Sequence, residues 1–78
     1  MKNITTLDKV NLNKNYLIEK ILLEEQFKKR LYDLGIIENT TIKALYKSPF
    51  NDPIAYEIRG TIIAIRNKDA KNIIVRRL

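Results

Sequence analysis

The chain has no cysteine and no histidine. The first absence excludes a disulfide framework and a thiol nucleophile. The second excludes a Ser-His-Asp relay. Together they remove zinc and soft-metal sites of the usual kind, so any bound metal would need carboxylates alone. Glycine and proline are scarce, two of each. Long apolar runs are missing too: the longest is Ile62–Ile65, far short of the roughly 20 residues of a membrane helix. The first residues alternate polar groups (Asn3, Thr5, Thr6, Asp8) and do not resemble a targeting signal. These features place the chain in the cytosol as an expectation.

Seventy-eight residues imply one domain, residues 1–78. At that size only roughly 60–65% of the unfolded surface can be buried. A deep cleft between lobes is therefore not expected. Hydrophobic residues at 45% and charged residues at 31% fit a folded domain rather than a disordered one.

Negative charge is also in short supply. Fifteen Lys and Arg face nine Asp and Glu, for a net +6. The imbalance lies in the second half: residues 1–39 carry +1 and residues 40–78 carry +5. Such a surface suits nucleic acid, an anionic membrane face or an acidic protein, and does not choose among them.

The periodicity predicts five strands and one helix. Tyr16–Leu23 alternates, with Tyr16, Ile18 and Leu22 on one face and Leu17, Ile21 and Leu23 on the other. Glu24–Leu34 reads as the helix, because Phe27, Leu31 and Leu34 fall at i, i+4 and i+7. Glu24–Lys28 and Glu25–Lys29 are spaced as i, i+4 pairs. Gly35 supplies the left-handed cap, while no Ser, Thr, Asp or Asn is placed to cap the start. Thr40–Lys47, Ile54–Arg59, Thr61–Arg66 and Ile73–Arg77 read as the other strands. Pro49 and Pro53 break the chain between the second and third of the five, and Gly60 turns it again. Asn67 can cap a helical turn through Lys71.

A sheet of this length must curl to bury a core. The expected fold is mainly β: a five-stranded SH3-like barrel, with the α-helix between its first and second strands and a short helical turn before the last. The helix stripe would cover one barrel opening.

Three motifs resemble one family. Arg30-Leu31-Tyr32-Asp33-Leu34-Gly35-Ile36 resembles the R-L-x-D-L-G-aliphatic signature of the FeoA domain. Pro49-Phe50-Asn51-Asp52-Pro53 is similar to its P-x-x-D-P turn, and Ala64–Ala70 to its A-[LI]-R-x-x-[DE]-A ending. They occur in the family's order over about residues 6–76. Asn39 stands where the family has glycine, and Asn13-Lys14-Asn15 where it has Pro-Gly. Asparagine best tolerates positive φ, so both turns are expected to survive.

The resemblance implies an SH3-like barrel of the bacterial cytosol, accessory to ferrous iron uptake. Its partner would be the membrane transporter FeoB, with a cytosolic GTP-binding domain. The same barrel closes metal-dependent repressors. These residues include no DNA-binding helix pair.

Several side chains stand out as partner-binding candidates: Lys29, Arg30, Asp33, Pro49, Phe50, Asp52 and Pro53. Asp33 sits at the helix end disfavoured for negative charge. It either pairs with Arg30, bonds a loop amide or faces a partner. Phe50 either anchors an interface or plugs the barrel. Leu31 and Leu34 read as core. Arg66 reads as structural, bonding loop carbonyls. Lys28-Lys29-Arg30 and Arg76-Arg77 are basic clusters that few aromatics accompany. No metal site, no cofactor and no phosphate loop is expected, since neither glycine opens one.

The first functional reading is a non-enzymatic regulatory module docking on the transporter. A small barrel binding nucleic acid is the alternative, less expected without a recognition motif. A relative of the repressor domain binding a proline-containing peptide is a further one. Self-association through a barrel edge is open to all three.

Overall fold

The computed structural model describes residues 3–78. In chain order the elements are β1 (Ile4–Thr6), a 3-10 turn (Leu7–Lys9), β2 (Asn15–Ile21), α1 (Glu25–Asp33), β3 (Thr41–Lys47), β4 (Ile54–Ile58), β5 (Thr61–Ile65), α2 (Asn67–Ala70) and β6 (Ile73–Arg77). All pairings are antiparallel, in the order β1-β6-β2-β3-β4-β5.

The mainly β class holds, and two expectations need correction. There are six strands, because Ile4–Thr6 pairs with β6 from Ile4↔Arg76 to Thr6↔Ile74. The long helix therefore follows the second strand rather than the first. The sheet also stays open: among the described residues β1 and β5 form its two edges and do not pair with each other. It curls nonetheless. The Tyr56 hydroxyl on β4 donates to the Leu7 carbonyl beyond β1 at 3.2 Å, which a flat sheet would not allow.

Inside the curl lie Tyr16, Ile18 and Ile21 of β2, Ile42 and Ala44 of β3, and Ile54, Tyr56 and Ile58 of β4. Ile65, Ile73, Val75, Leu7, Val10, Ile36 and Ala70 complete the core. Two bulges adjust which side chains enter. At Glu19 the pairing slips between Ile18 and Lys20. Ile21 thereby joins Ile18 in the core, although strict alternation puts them on opposite faces. At Leu45 the slip lies between Ala44 and Tyr46. Tyr46 is turned out and left exposed.

The ends of α1 follow from its sequence. No side chain caps its start at Glu24. At its other end the Gly35 amide donates to the Tyr32 carbonyl and the Ile36 amide to the Leu31 carbonyl. That is a Schellman motif, and it requires the positive φ that Gly35 adopts, 91°. Ile36 is then carried into the core.

The asparagines do what the missing glycines would. Asn13 and Asn39 take φ of 63° and 66°. The Asn13 amide donates to the Ala44 carbonyl and the Asn39 amide to the Ile18 carbonyl, each at 2.7 Å. Arg59 and Gly60, at φ 51° and 81°, form the two-residue left-handed turn between β4 and β5. Among the described residues no helix is long and apolar enough to cross a membrane.

Candidate functional site

The apolar stripe of α1 is only half used by the core. Leu31 packs against it together with Leu23 and Ile63. Phe27 and Leu34 remain 44% and 50% exposed. The expectation that Leu34 is core is thus corrected: the Schellman turn sends Ile36 inward in its place.

Leu23, Phe27, Leu31 and Leu34 form one wall of a groove of about 340 Å³, running between α1 on one side and β5 and α2 on the other. Ile63, Ala64 and Ile65 form the opposite wall, and Arg30, Arg66, Lys68 and Asp69 complete the lining. Three cations against one carboxylate leave the groove apolar within and cationic around it. A wider hollow at the start of α1, lined only by Glu24, Glu25, Gln26 and Lys29, is relief on a solvated helix face.

Beside the groove stands the Ser48–Pro53 loop. The Asn51 amide donates to the Ser48 carbonyl at 2.8 Å, and the Asp52 amide to the Ser48 hydroxyl at 3.0 Å. Asn51 takes φ 63°. The turn is pinned to α2 by Asn67, whose amide donates to the Asp52 carboxylate at 2.9 Å. Its side-chain nitrogen donates to the Asn51 carbonyl at 2.8 Å. A loop held this way presents Phe50 outward, 89% exposed. The barrel-plug reading of Phe50 is thereby excluded.

The predicted site residues separate accordingly. Arg30 lines the groove. Pro49 and Phe50 form the exposed tip of the neighbouring loop. Asp52 accepts the first amide of α2, and the Pro53 carbonyl accepts the Ser48 amide at 3.2 Å; both shape the loop. Lys29 lies at the hollow by the helix start, outside the groove lining. Asp33 is exposed, and among the described residues no ion pair joins it to Arg30.

Two further expectations change. Among the described residues neither Lys28–Glu24 nor Lys29–Glu25 forms an ion pair. For Lys28 the partner is Glu38. The Lys28 ammonium lies 3.7 Å from the Glu38 carboxylate and 5.9 Å from the centre of the Tyr32 ring. The Tyr32 hydroxyl donates to Glu38 at 2.7 Å. That bond holds the Glu38 carboxyl below its ordinary range and pushes the Tyr32 hydroxyl up. Arg66, read as a loop-bonding residue, is exposed and belongs to the groove; Asn67 makes the loop bonds instead.

Arg66, Lys68 and Ile63 are among the groove residues that sequence reasoning missed. Their place beside α1 depends on folding residues 61–70 against residues 23–34. Only the clean apolar run flanked by Arg66 and Lys68 hinted at it. As for metal, no cluster of three or more carboxylates forms among the described residues.

Comparison with known proteins agrees with the architecture. The model of the FeoA domain matches residues 5–77. The solved FeoA-like protein of Clostridium acetobutylicum is 31% identical, with TM-score 0.86 over 100% of this chain and 91% of its own. The FeoA protein of Chlorobium tepidum is 26% identical, with TM-score 0.90 over 95% of this chain and 70% of its own. Stenotrophomonas maltophilia FeoA, solved with zinc and described as a prokaryotic SH3 domain protein, is 24% identical. It aligns at TM-score 0.76 over 91% of this chain and 88% of its own, a likeness of fold alone. No curated protein matches the chain.

Proposed function

The chain belongs to the FeoA domain family, and from that membership we propose that it is a non-enzymatic accessory protein of ferrous iron uptake. It docks on the cytosolic part of a FeoB-type membrane transporter, and so works in the cytoplasm at the inner face of the membrane. The observation that carries this reading is the groove between α1 and β5, apolar within and cationic at its border; the loop that bears the exposed Phe50 is tied to Asn67, which lies between the lining residues Arg66 and Lys68.

An exposed Phe or Leu gains about 1.5–3 kcal/mol when fully buried. Phe27, Leu34 and Phe50 together are enough to anchor a small interface. Its apolar floor and cationic border suit recognition of another surface. A ligand of this kind acts by binding one state of its partner better than another. The nucleotide state of the transporter's GTP-binding domain is the natural variable.

The test is an amide NMR titration of the labelled chain with that cytosolic domain, at about 0.15 M salt to screen long-range attraction. It is run without nucleotide, with GDP and with a GTP analogue. Shifts clustered on residues 27–34, 49–53 and 63–69, and differing between nucleotide states, are expected. No shift in any state rules the reading out.

A further inference from the structure

Ile63, Ala64 and Ile65 all line the groove. A strand shows only alternate residues on either face. Three in succession therefore mean that the groove runs along the edge of β5. The register identifies the backbone groups that stand there. In a two-residue hairpin the residues flanking the turn exchange both hydrogen bonds. Thr61, Ile63 and Ile65 accordingly bond to β4, opposite Ile58, Tyr56 and Ile54. Alternation leaves the N–H and C=O groups of Ile62 and Ala64 directed away from β4. Among the described residues no turn, loop or cap bond takes them up.

The strand itself carries none of the usual shielding, although α1 stands across the groove from it. Edge strands are normally blunted by charge, proline, bulges or shortness. Thr61–Ile65 carries no charge and no proline, and its pairing with β4 runs without a slip. The opposite edge, β1, is three residues long.

We propose that an extended acidic segment of the partner adds to β5 as a further strand, seated in this groove. The proposal rests on the docking reading above and specifies its mode. Backbone bonds to Ile62 and Ala64 supply affinity, and alternate side chains supply specificity. Apolar residues of the segment meet Phe27 and Leu34, and its carboxylates meet Arg30, Arg66 and Lys68, which outnumber the single Asp69. Charge disfavours a second copy of this chain as the occupant, since it brings the same cations and a net +6.

The probe is an acetylated octapeptide of alternating valine and glutamate, with a valine–lysine octapeptide as control. In the free chain the amides of Ile62 and Ala64 should exchange with solvent faster than those of Ile63 and Ile65. The acidic peptide should shift and protect them, and the basic one should not. Ala64→Pro removes the outward N–H and leaves the bonds to β4 in place. It should weaken binding about tenfold, the worth of one hydrogen bond. Arg66→Glu, at an exposed position, should do the same through charge and serves if the proline disturbs the fold. Unshifted Ile62 and Ala64 amides, or affinity unchanged in both variants, overturn the proposal. Concentration-dependent shifts of these amides without peptide would assign the edge to a second copy and also overturn it. The transporter domain separates the two ideas. Peptide binding at the edge without domain binding removes the docking reading and keeps the edge site. Domain binding that shifts other residues and ignores Ala64→Pro does the reverse.

Discussion

The Tyr56 hydroxyl donates to the carbonyl of Leu7 at 3.2 Å, joining β4 to the turn beyond β1. Both residues are wholly buried. Tyr56→Phe leaves that carbonyl without its donor. The expected loss is about 1–2 kcal/mol, or about 5–10 °C in Tm for a domain of this length, measured by thermal and urea unfolding.

The same tyrosine gives a pH dependence with a definite sign. Burial pushes its hydroxyl above the ordinary value of 10.0, helped by the charges of Asp8 and Asp52. The unfolded chain therefore loses this proton at lower pH than the folded one. Stability should be intact below the ordinary tyrosine value and decline as pH rises beyond it. Urea titrations from neutral to strongly alkaline pH should show a shallower decline in Tyr56→Phe than in the unaltered chain.

Asn39 and Gly60 test the left-handed turns. At φ 66°, Asn39→Ala should cost about 0.5–1.5 kcal/mol, whereas Asn39→Gly should be nearly neutral. Gly60 has open space around a built Cβ, so any loss in Gly60→Ala comes from its φ of 81° alone; it should fall near 1 kcal/mol. Chemical denaturation checks all three.

Phe50→Ala should leave the free domain unchanged, within about 0.5 kcal/mol, because the side chain is 89% exposed. Under the docking reading it should weaken binding of the transporter's cytosolic domain by about tenfold or more. A large fall in Tm would contradict the loop geometry; unchanged affinity would remove Phe50 from the interface.

Tyr32→Phe should raise the Glu38 titration midpoint towards the ordinary carboxylate value, since the Tyr32 bond is the main reason that it is lowered. Carbon-detected NMR across the acidic range reads this directly. The bond stabilises the fold above the ordinary glutamate value, and that contribution is lost as pH falls through the lowered one. At so exposed a position the effect on stability is small and screened by salt.

Much of this fold is legible in the sequence. Alternation located β4, and β6 within its observed bounds. The i, i+4, i+7 stripe and Gly35 located α1 and its end. Asparagine at positions 13 and 39 announced turns that glycine would otherwise make. Phe50 and Arg30 were singled out, but Asp52 was not separable from them: only Asn67, folded against the loop, shows that its carboxylate is occupied. The short strand Ile4–Thr6 left no usable pattern, being half exposed and dependent on β6 for every bond.

The α1 helix, its cap and the left-handed turns follow from the local sequence, because stripes, caps and positive-φ positions depend on residues a few positions apart. The tertiary structure decided the rest. Pairing with β6 placed the bulge at Glu19 and so brought Ile21 into the core. The open order of the sheet left β5 as an edge. Folding α1 beside that edge set Arg30 and Arg66 around one groove. These are contacts between distant segments, formed where burial of apolar surface outweighs the entropy of closing long loops; no local pattern encodes them.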